Sequence, residues 1–297
     1  MSKLNKAIEI LNNEDVVAIP TETVYGLAGK IDSSIAINKI FKIKERPFFD
    51  PLIVHVSSIE MAKKLTLDFP PIASKLAQKF WPGPLTIILD KNDSVSDLIT
   101  SGLSRVGIRM PDNALTLKLI EQLDTPLAAP SANKFKKTSP TSKEHVFDEF
   151  GDEVYVLDDG ESQVGIESTV VGVFKDHIEI YRPGMITKED ILDVLPNTKV
   201  EYKESPVAPG QLNHHYMPTK PLTIADDTFN ITDEYAVWRI ESSPELAARS
   251  LYSKLRLLDK SDKEKILFIL DKKFKNDNKW LGILNRLKKA KSEDFYF

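Results

Sequence analysis

Short apolar runs alternate with amphipathic stretches through most of this chain, and that alternation constrains the fold more than any other feature. "VVAIP" (16–20), "LIVHV" (52–56), "LTIILD" (85–90), "VGIRM" (106–110) and "PLAAP" (126–130) are brief, apolar and bounded by proline or polar turns, as strands are. Between them lie segments with apolar residues three or four apart: 33–44, 59–65, 71–80, 114–123 and a stretch near 142–150. "EVYVLD" (153–158) reads as a further strand, and "STVVGVF" with "HIEIYR" (168–182) as an antiparallel hairpin turning at Lys175 and Asp176. "TKEDILDVL" (187–195) predicts a helix whose Thr187 and Asp190 form a capping box. Interleaved strands and helices imply an α/β domain on a mixed sheet.

The pattern breaks at "KESPVAPGQLNHHYMPTKPL" (203–222), where prolines gather and apolar periodicity disappears. Beyond it, "LTIA", "EYAVWRI" and "KILFILD" predict strands. "SPELAARSLYSKLRLLDK" (243–260) and "WLGILNRLKKAK" (280–291) predict helices, the first with Ser243 as cap and Pro244 in its first turn. The expected organisation is a domain over 1–202, a linker over 203–221, and a small Rossmann-like α/β domain over 222–297.

With 41% hydrophobic residues in 297, there is material for real cores, and the net charge of −4 argues against a general nucleic-acid binder. The absence of cysteine excludes disulfides, a thiol nucleophile and cysteine metal sites. The N-terminal stretch is charged throughout and lacks the apolar core of a signal peptide, and no apolar run is long enough to span a membrane. A cytoplasmic protein without membrane association is the expectation.

Common catalytic signatures do not fit. "GLAGK" (26–30) has the wrong glycine spacing for a phosphate loop, and "GLSRV" (102–106) is one glycine short of a nucleophile elbow. His214 and His215 are adjacent, which is not metal-ligand spacing on a helix. What remains is polar residues at strand ends, where open α/β sheets bind ligands. Thr21, Glu22 and Thr23 follow the first strand; Ser131 and Asn133 follow "PLAAP"; Arg109 and Arg182 each end an apolar strand before a proline. Lys44 and Arg46 stand where Pro47 forces a helix to stop. Taken singly, each has an ordinary explanation: a turn, a cap, or cations at a helix C-terminus. Together, Lys44, Arg46, Arg109 and Arg182 are the ingredients of a polyanion site built without a glycine loop.

The motifs "PTETVYGL", "KIKERP", "DPLIVH", "WPGPLT", "VGIRMP", "APSAN", "GIESTVV" and "YRPG" stand in the order found in threonylcarbamoyl-AMP synthases, and residues 5–200 resemble their YrdC-like domain, a twisted mixed sheet with helices. "HHYMP" and the C-terminal segment resemble the family's long form. Gln211, Leu212 and Asn213 depart from its linker pattern, and 222–297 is shorter than its usual C-terminal domain. The resemblance implies synthesis of threonylcarbamoyl-AMP and pyrophosphate from L-threonine, bicarbonate and ATP, with Mg²⁺ arriving on ATP rather than on protein side chains. The product would serve N6-threonylcarbamoyladenosine formation at position 37 of tRNA through a downstream threonylcarbamoyl transferase, without a need for direct tRNA binding. It implies Lys44, Arg46, Ser131 and Asn133 as the catalytic tetrad. Ser139, Arg182 and Tyr216 join those four on the ATP side, with His215 beside Tyr216. Thr21, His55, Arg109, Ala129 and Ser168 are implied on the threonine side. The competing readings are a double-stranded RNA-binding module and a carbamoyl-transfer enzyme of the hydrogenase-maturation type, whose additional zinc-finger and acylphosphatase-like regions this chain lacks.

Overall fold

The computed structural model describes residues 1–203 and 215–292 and the backbone of 295–296. Gln211, Leu212, Asn213 and His214, and the rest of 204–214, lie outside the described residues.

Among the described residues, the first sheet has ten strands: β1 (Val17–Ile19), β2 (Gly26–Lys30), β3 (Ile53–His55), β4 (Leu85–Asp90), β5 (Arg105–Arg109), β6 (Leu127–Ala128), β7 (Tyr155–Val156), β8 (Thr169–Val173), β9 (His177–Arg182) and β10 (Lys199–Tyr202). Their order is β10-β9-β8-β4-β5-β3-β6-β2-β1-β7, and both parallel pairs (β3–β5, β4–β8) and antiparallel pairs (β4–β5, β8–β9) occur. The mixed sheet follows from the short connections between some strands and the helical crossovers between others. Among the described residues, eight α-helices accompany it: α1 (Lys3–Asn12), α2 (Ser34–Lys44), α3 (Ile59–Lys63), α4 (Pro71–Phe80), α5 (Asp97–Thr100), α6 (Ala114–Leu123), α7 (Lys143–Phe150) and α8 (Lys188–Val194). Many start as their sequences dictate: Ser33, Asn113 and Ser142 each accept the backbone N–H three residues on. The capping box of Thr187 and Asp190 is formed in full.

The second sheet, ordered β12-β13-β11-β14, is parallel throughout, with β11 (Leu222–Ala225), β12 (Tyr235–Arg239), β13 (Lys265–Ile269) and β14 (Phe295–Tyr296). Helices α9 (Pro244–Asp259) and α10 (Leu281–Ala290) complete this unit. Val24 and Ile166 of the first unit share one apolar cluster with Leu251, Tyr252 and Ile283 of the second. Close backbone approach fixes that junction: a Cβ on Gly282 would lie 2.8 Å from the Gly184 carbonyl oxygen.

Some elements differ from the sequence expectation. "GLAGK", read only as a failed phosphate loop, is β2; the Cβ position of Gly29 lies 3.0 Å from the Ala36 Cβ, so glycine lets α2 settle on the sheet. β10 carries exposed polar residues around Val200 and has no apolar alternation to announce it; it pairs at the sheet edge with β9. "EVYVLD" keeps only two residues in strand pairing. α2 ends at Lys44 because Glu45 turns left-handed (φ 54°), two residues before Pro47 could act.

Candidate active site

The turn after β1 is the first wall of the site. Thr21 Oγ1 accepts the N–H groups of Thr23 and Val24 and donates to the Val24 carbonyl, so it holds the turn itself. Glu22 and Thr23 are thereby aimed at Arg109, at the end of β5. The Arg109 guanidinium lies 2.6 Å from the Glu22 carboxylate and donates to Thr23 Oγ1 at 2.8 Å. The parallel register of β3 and β5 sets His55 directly beside Arg109. Burial, reinforced by the Arg109 charge, pushes the His55 pKa down to about 3, so its ring is neutral near neutral pH.

The end of α2 forms the opposite wall. Lys44 is buried and donates to the main-chain carbonyls of Ser131 and Asn133, each at 2.5 Å. Burial and then the neighbouring Arg46 charge push its pKa well below that of an ordinary lysine. Arg46 pairs with Asp50 at 2.9 Å and donates to the Asp50 and Pro51 carbonyls. Asn133 spends its amide on the carbonyls of Lys134 and Lys137, shaping the loop that follows.

The third side comes from β8 and β9. A bulge sets Arg182, rather than Tyr181, opposite Val170, and Arg182 donates to the Ser168 carbonyl and hydroxyl, both at 3.1 Å. Ser168 also shares a hydrogen bond with Thr86 at 2.8 Å. Ser139 donates to the Glu167 carboxylate at 2.6 Å.

These walls enclose a cavity of about 50 Å³. Thr21, Arg46, His55, Arg109, Ala129, Ser131, Ser168, Arg182 and Tyr216 line it. Lys44, Asn133 and Ser139 do not; they stand behind the lining and hold it. His215 and Tyr216 close one side, with rings 4.2 Å apart. Tyr216 has a left-handed backbone (φ 64°), a strained conformation for a bulky residue that burial among second-unit side chains sustains. Among the described residues, no group of three or more His, Asp or Glu side chains is arranged to hold a metal ion, and no helix is long and apolar enough to cross a membrane.

Comparison with known proteins places this geometry. The family model described as "Telomere recombination" matches residues 9–184, and the one described as "Threonylcarbamoyl-AMP synthase, C-terminal domain" matches 186–292. The threonylcarbamoyl-AMP synthase of Bacillus subtilis is 37% identical over 97% of this chain and 92% of its own. The chain belongs to the threonylcarbamoyl-AMP synthase family. The family member from Schizosaccharomyces pombe is 32% identical over 99% of this chain and 89% of its own. The crystal structure of P. abyssi Sua5 complexed with L-threonine superimposes with a TM-score of 0.89 at 31% identity, covering 100% of this chain and 96% of the other. The YrdC-like fold and the small α/β unit expected from the synthase motifs are therefore both present.

Two features of this family member escaped the motif reading. Glu167 lies inside the quoted "GIESTVV" but was not singled out; a carboxylate in an apolar run before a strand is the signal that could have marked it. Arg286 sits in "WLGILNRLKKAK", whose sequence predicts a helix and does not set this arginine apart from its basic neighbours. In the structure it is wholly buried against Glu167.

Proposed function

We propose that this chain is a threonylcarbamoyl-AMP synthase that joins L-threonine, bicarbonate and ATP into threonylcarbamoyl-AMP and releases pyrophosphate. The observation that carries the reading is the set of three arginines, Arg46, Arg109 and Arg182, around one small cavity in a member of this family. Bicarbonate carbon adds to the threonine amine with loss of water, giving a carbamate. A carbamate oxygen then bonds to the α-phosphorus as the bond from that phosphorus to the bridging oxygen breaks, and pyrophosphate leaves. Positioning and charge neutralisation account for most of the catalysis in such a phosphorus transfer.

In this reading Arg46 and Arg182 face the phosphates, and Mg²⁺ comes with ATP as part of the substrate. Lys44 and Asn133 act on the ATP side by shaping the loop that bears Ser131, and Ser139 by holding Glu167. Arg109, oriented by Glu22 and Thr23, receives the threonine carboxylate beside Thr21, Ala129 and Ser168. His55, neutral, adds no competing charge there. Its Nδ1 is buried without a hydrogen-bond partner among the described residues, which suits a substrate hydroxyl or amine. The cavity is far below the ~300–1,000 Å³ of ordinary small-molecule sites, so Tyr216 and His215 withdraw to admit both substrates and return to exclude water. The product is the donor for a downstream threonylcarbamoyl transferase acting on adenosine 37 of tRNA.

The test is incubation with ATP, threonine and bicarbonate while pyrophosphate and the mass of the nucleotide product are followed. Threonine-dependent pyrophosphate release with a threonylcarbamoyl-AMP mass is expected. Release that ignores threonine would sink the reading.

A further inference from the structure

Glu167 immediately precedes Ser168 in the cavity wall, yet among the described residues two of the three side chains that bond its carboxylate come from the second unit. Arg286 on α10 donates Nε to Glu167 Oε2 and Nη2 to the Glu167 carbonyl, both at 2.9 Å. Tyr252 on α9 donates its hydroxyl to the same Oε2 at 2.8 Å. Arg286 is itself fixed by the carbonyls of Pro183 and Gly282, and its guanidinium lies 5.7 Å from the centre of the Tyr216 ring. No solvent reaches it.

A surface helix does not need such an arginine, and a buried arginine is tolerated only where an anion and carbonyls receive it. The reverse dependence matters more. Burial by itself would raise the pKa of the Glu167 carboxyl. The Arg286 charge, then the Arg182 charge and the Ser139 hydrogen bond, bring its pKa down to about 2. Two cations thus face one buried anion. Arg286 engages it in direct bonds, while Arg182 donates to Ser168 next door. Without Arg286, the cation left facing this anion among the described residues is Arg182.

We propose that Arg286 and Tyr252 are positioning residues for the nucleotide site: by engaging the Glu167 carboxylate, they keep it from drawing Arg182 away from Ser168 and from substrate phosphate. The second unit thereby completes the charge balance of a cavity it does not line. The inference rests on the reading of Arg182 as a nucleotide-side residue.

The experiment compares wild type, Arg286→Met, Tyr252→Phe and the double variant Glu167→Gln/Arg286→Met. It reads ATP affinity by calorimetry and the KM values for ATP and threonine in the pyrophosphate assay. Arg286→Met is expected to weaken ATP by about tenfold or more, with threonine KM changed less than about threefold. The double variant, which has no buried anion left to misdirect Arg182, is expected to recover to within about threefold of wild type, a rescue that a merely structural role would not give. Tyr252→Phe, which keeps the ring, is expected to weaken ATP by about threefold. ATP affinity within about twofold of wild type in Arg286→Met, or a double variant as weak as Arg286→Met, overturns the inference. Should Arg286→Met fail to fold, Tyr252→Phe decides: wild-type ATP affinity overturns the inference, and weakened affinity with a recovered double variant supports it. Wild-type protein that binds no ATP defeats the functional reading itself, and the inference falls with it.

Discussion

The ammonium of Lys44, in the last turn of α2, donates to the main-chain carbonyl of Asn133, 89 residues further along the chain. The same nitrogen donates to the Ser131 carbonyl, so one buried cation ties a helix end to the loop that carries the candidate tetrad's other half. Lys44→Ala removes both bonds. Pyrophosphate release should fall at least about 100-fold, equivalent to ~2.7 kcal/mol of lost transition-state stabilisation. Steady-state kinetics beside a circular-dichroism spectrum checks this; a folded variant with near wild-type turnover contradicts it.

Arg109 presents a planar fork held by Glu22, Thr23 and the Gly83 carbonyl. Lysine keeps the charge but loses the fork. Arg109→Lys should raise threonine KM by about tenfold or more, ~1.4 kcal/mol, while ATP KM changes little. Separate saturation curves for the two substrates test the split, and an equal rise in both KM values counts against it.

Stability should decline with acid earlier than carboxylate protonation alone would cause. His55 and His215 are both buried and pushed from 6.5 to about 3, by burial first and then by Arg109 for His55 and by Arg46 and Lys44 for His215. In each case the folded pKa lies below the unfolded one. The unfolded chain therefore binds the extra proton, and stability present above pH 6.5 is lost as pH falls towards 3. Each histidine contributes a slope of roughly 1.4 kcal/mol per pH unit within that window. Glu167, with its pKa brought from 4.5 to about 2, adds a further loss below pH 4.5. Urea midpoints measured between about pH 7 and pH 4 should fall, and His55→Asn should flatten the slope.

Gly282 lies in the first turn of α10, where alanine would ordinarily gain about 1 kcal/mol of helix propensity. The added Cβ would meet the Gly184 backbone at 2.8–3.0 Å, and backbone does not swing aside. Overpacking costs roughly 1–3 kcal/mol, so the clash should win and Gly282→Ala should lower Tm. A higher Tm would show that the two units can part slightly without loss.

Legibility in the sequence varied with the range of the interaction. The strands Leu85–Asp90 and Arg105–Arg109 and the helix Ala114–Leu123 could be read almost to the residue, because local periodicity and capping fix them. β2 was not, because its glycines serve close contacts, Gly29 with α2 and Gly26 with Ala129, rather than a strand pattern. β10 was not, because an edge strand with exposed polar residues has no alternation to read. In the site, the arginines at strand ends were visible as expensive charges in need of anions. Asp50 stands one helical turn on from Arg46 in sequence, but Glu22 is far from Arg109 along the chain, and nothing local says that it serves that arginine rather than solvent.

The sequence by itself determined the α/β class, the break into two units, and a set of ordered motifs whose resemblance named the family. It did so because those properties are carried by short-range pattern and by residue identity. The tertiary structure decided that Lys44 stands behind the cavity while Arg46 lines it, that Arg182 reaches Ser168 across a bulged strand, and that a helix in the second unit supplies the counter-ion for Glu167. Those relations join residues from about 14 to 119 positions apart. Which distant charge meets which is settled only when burial removes water as the alternative partner.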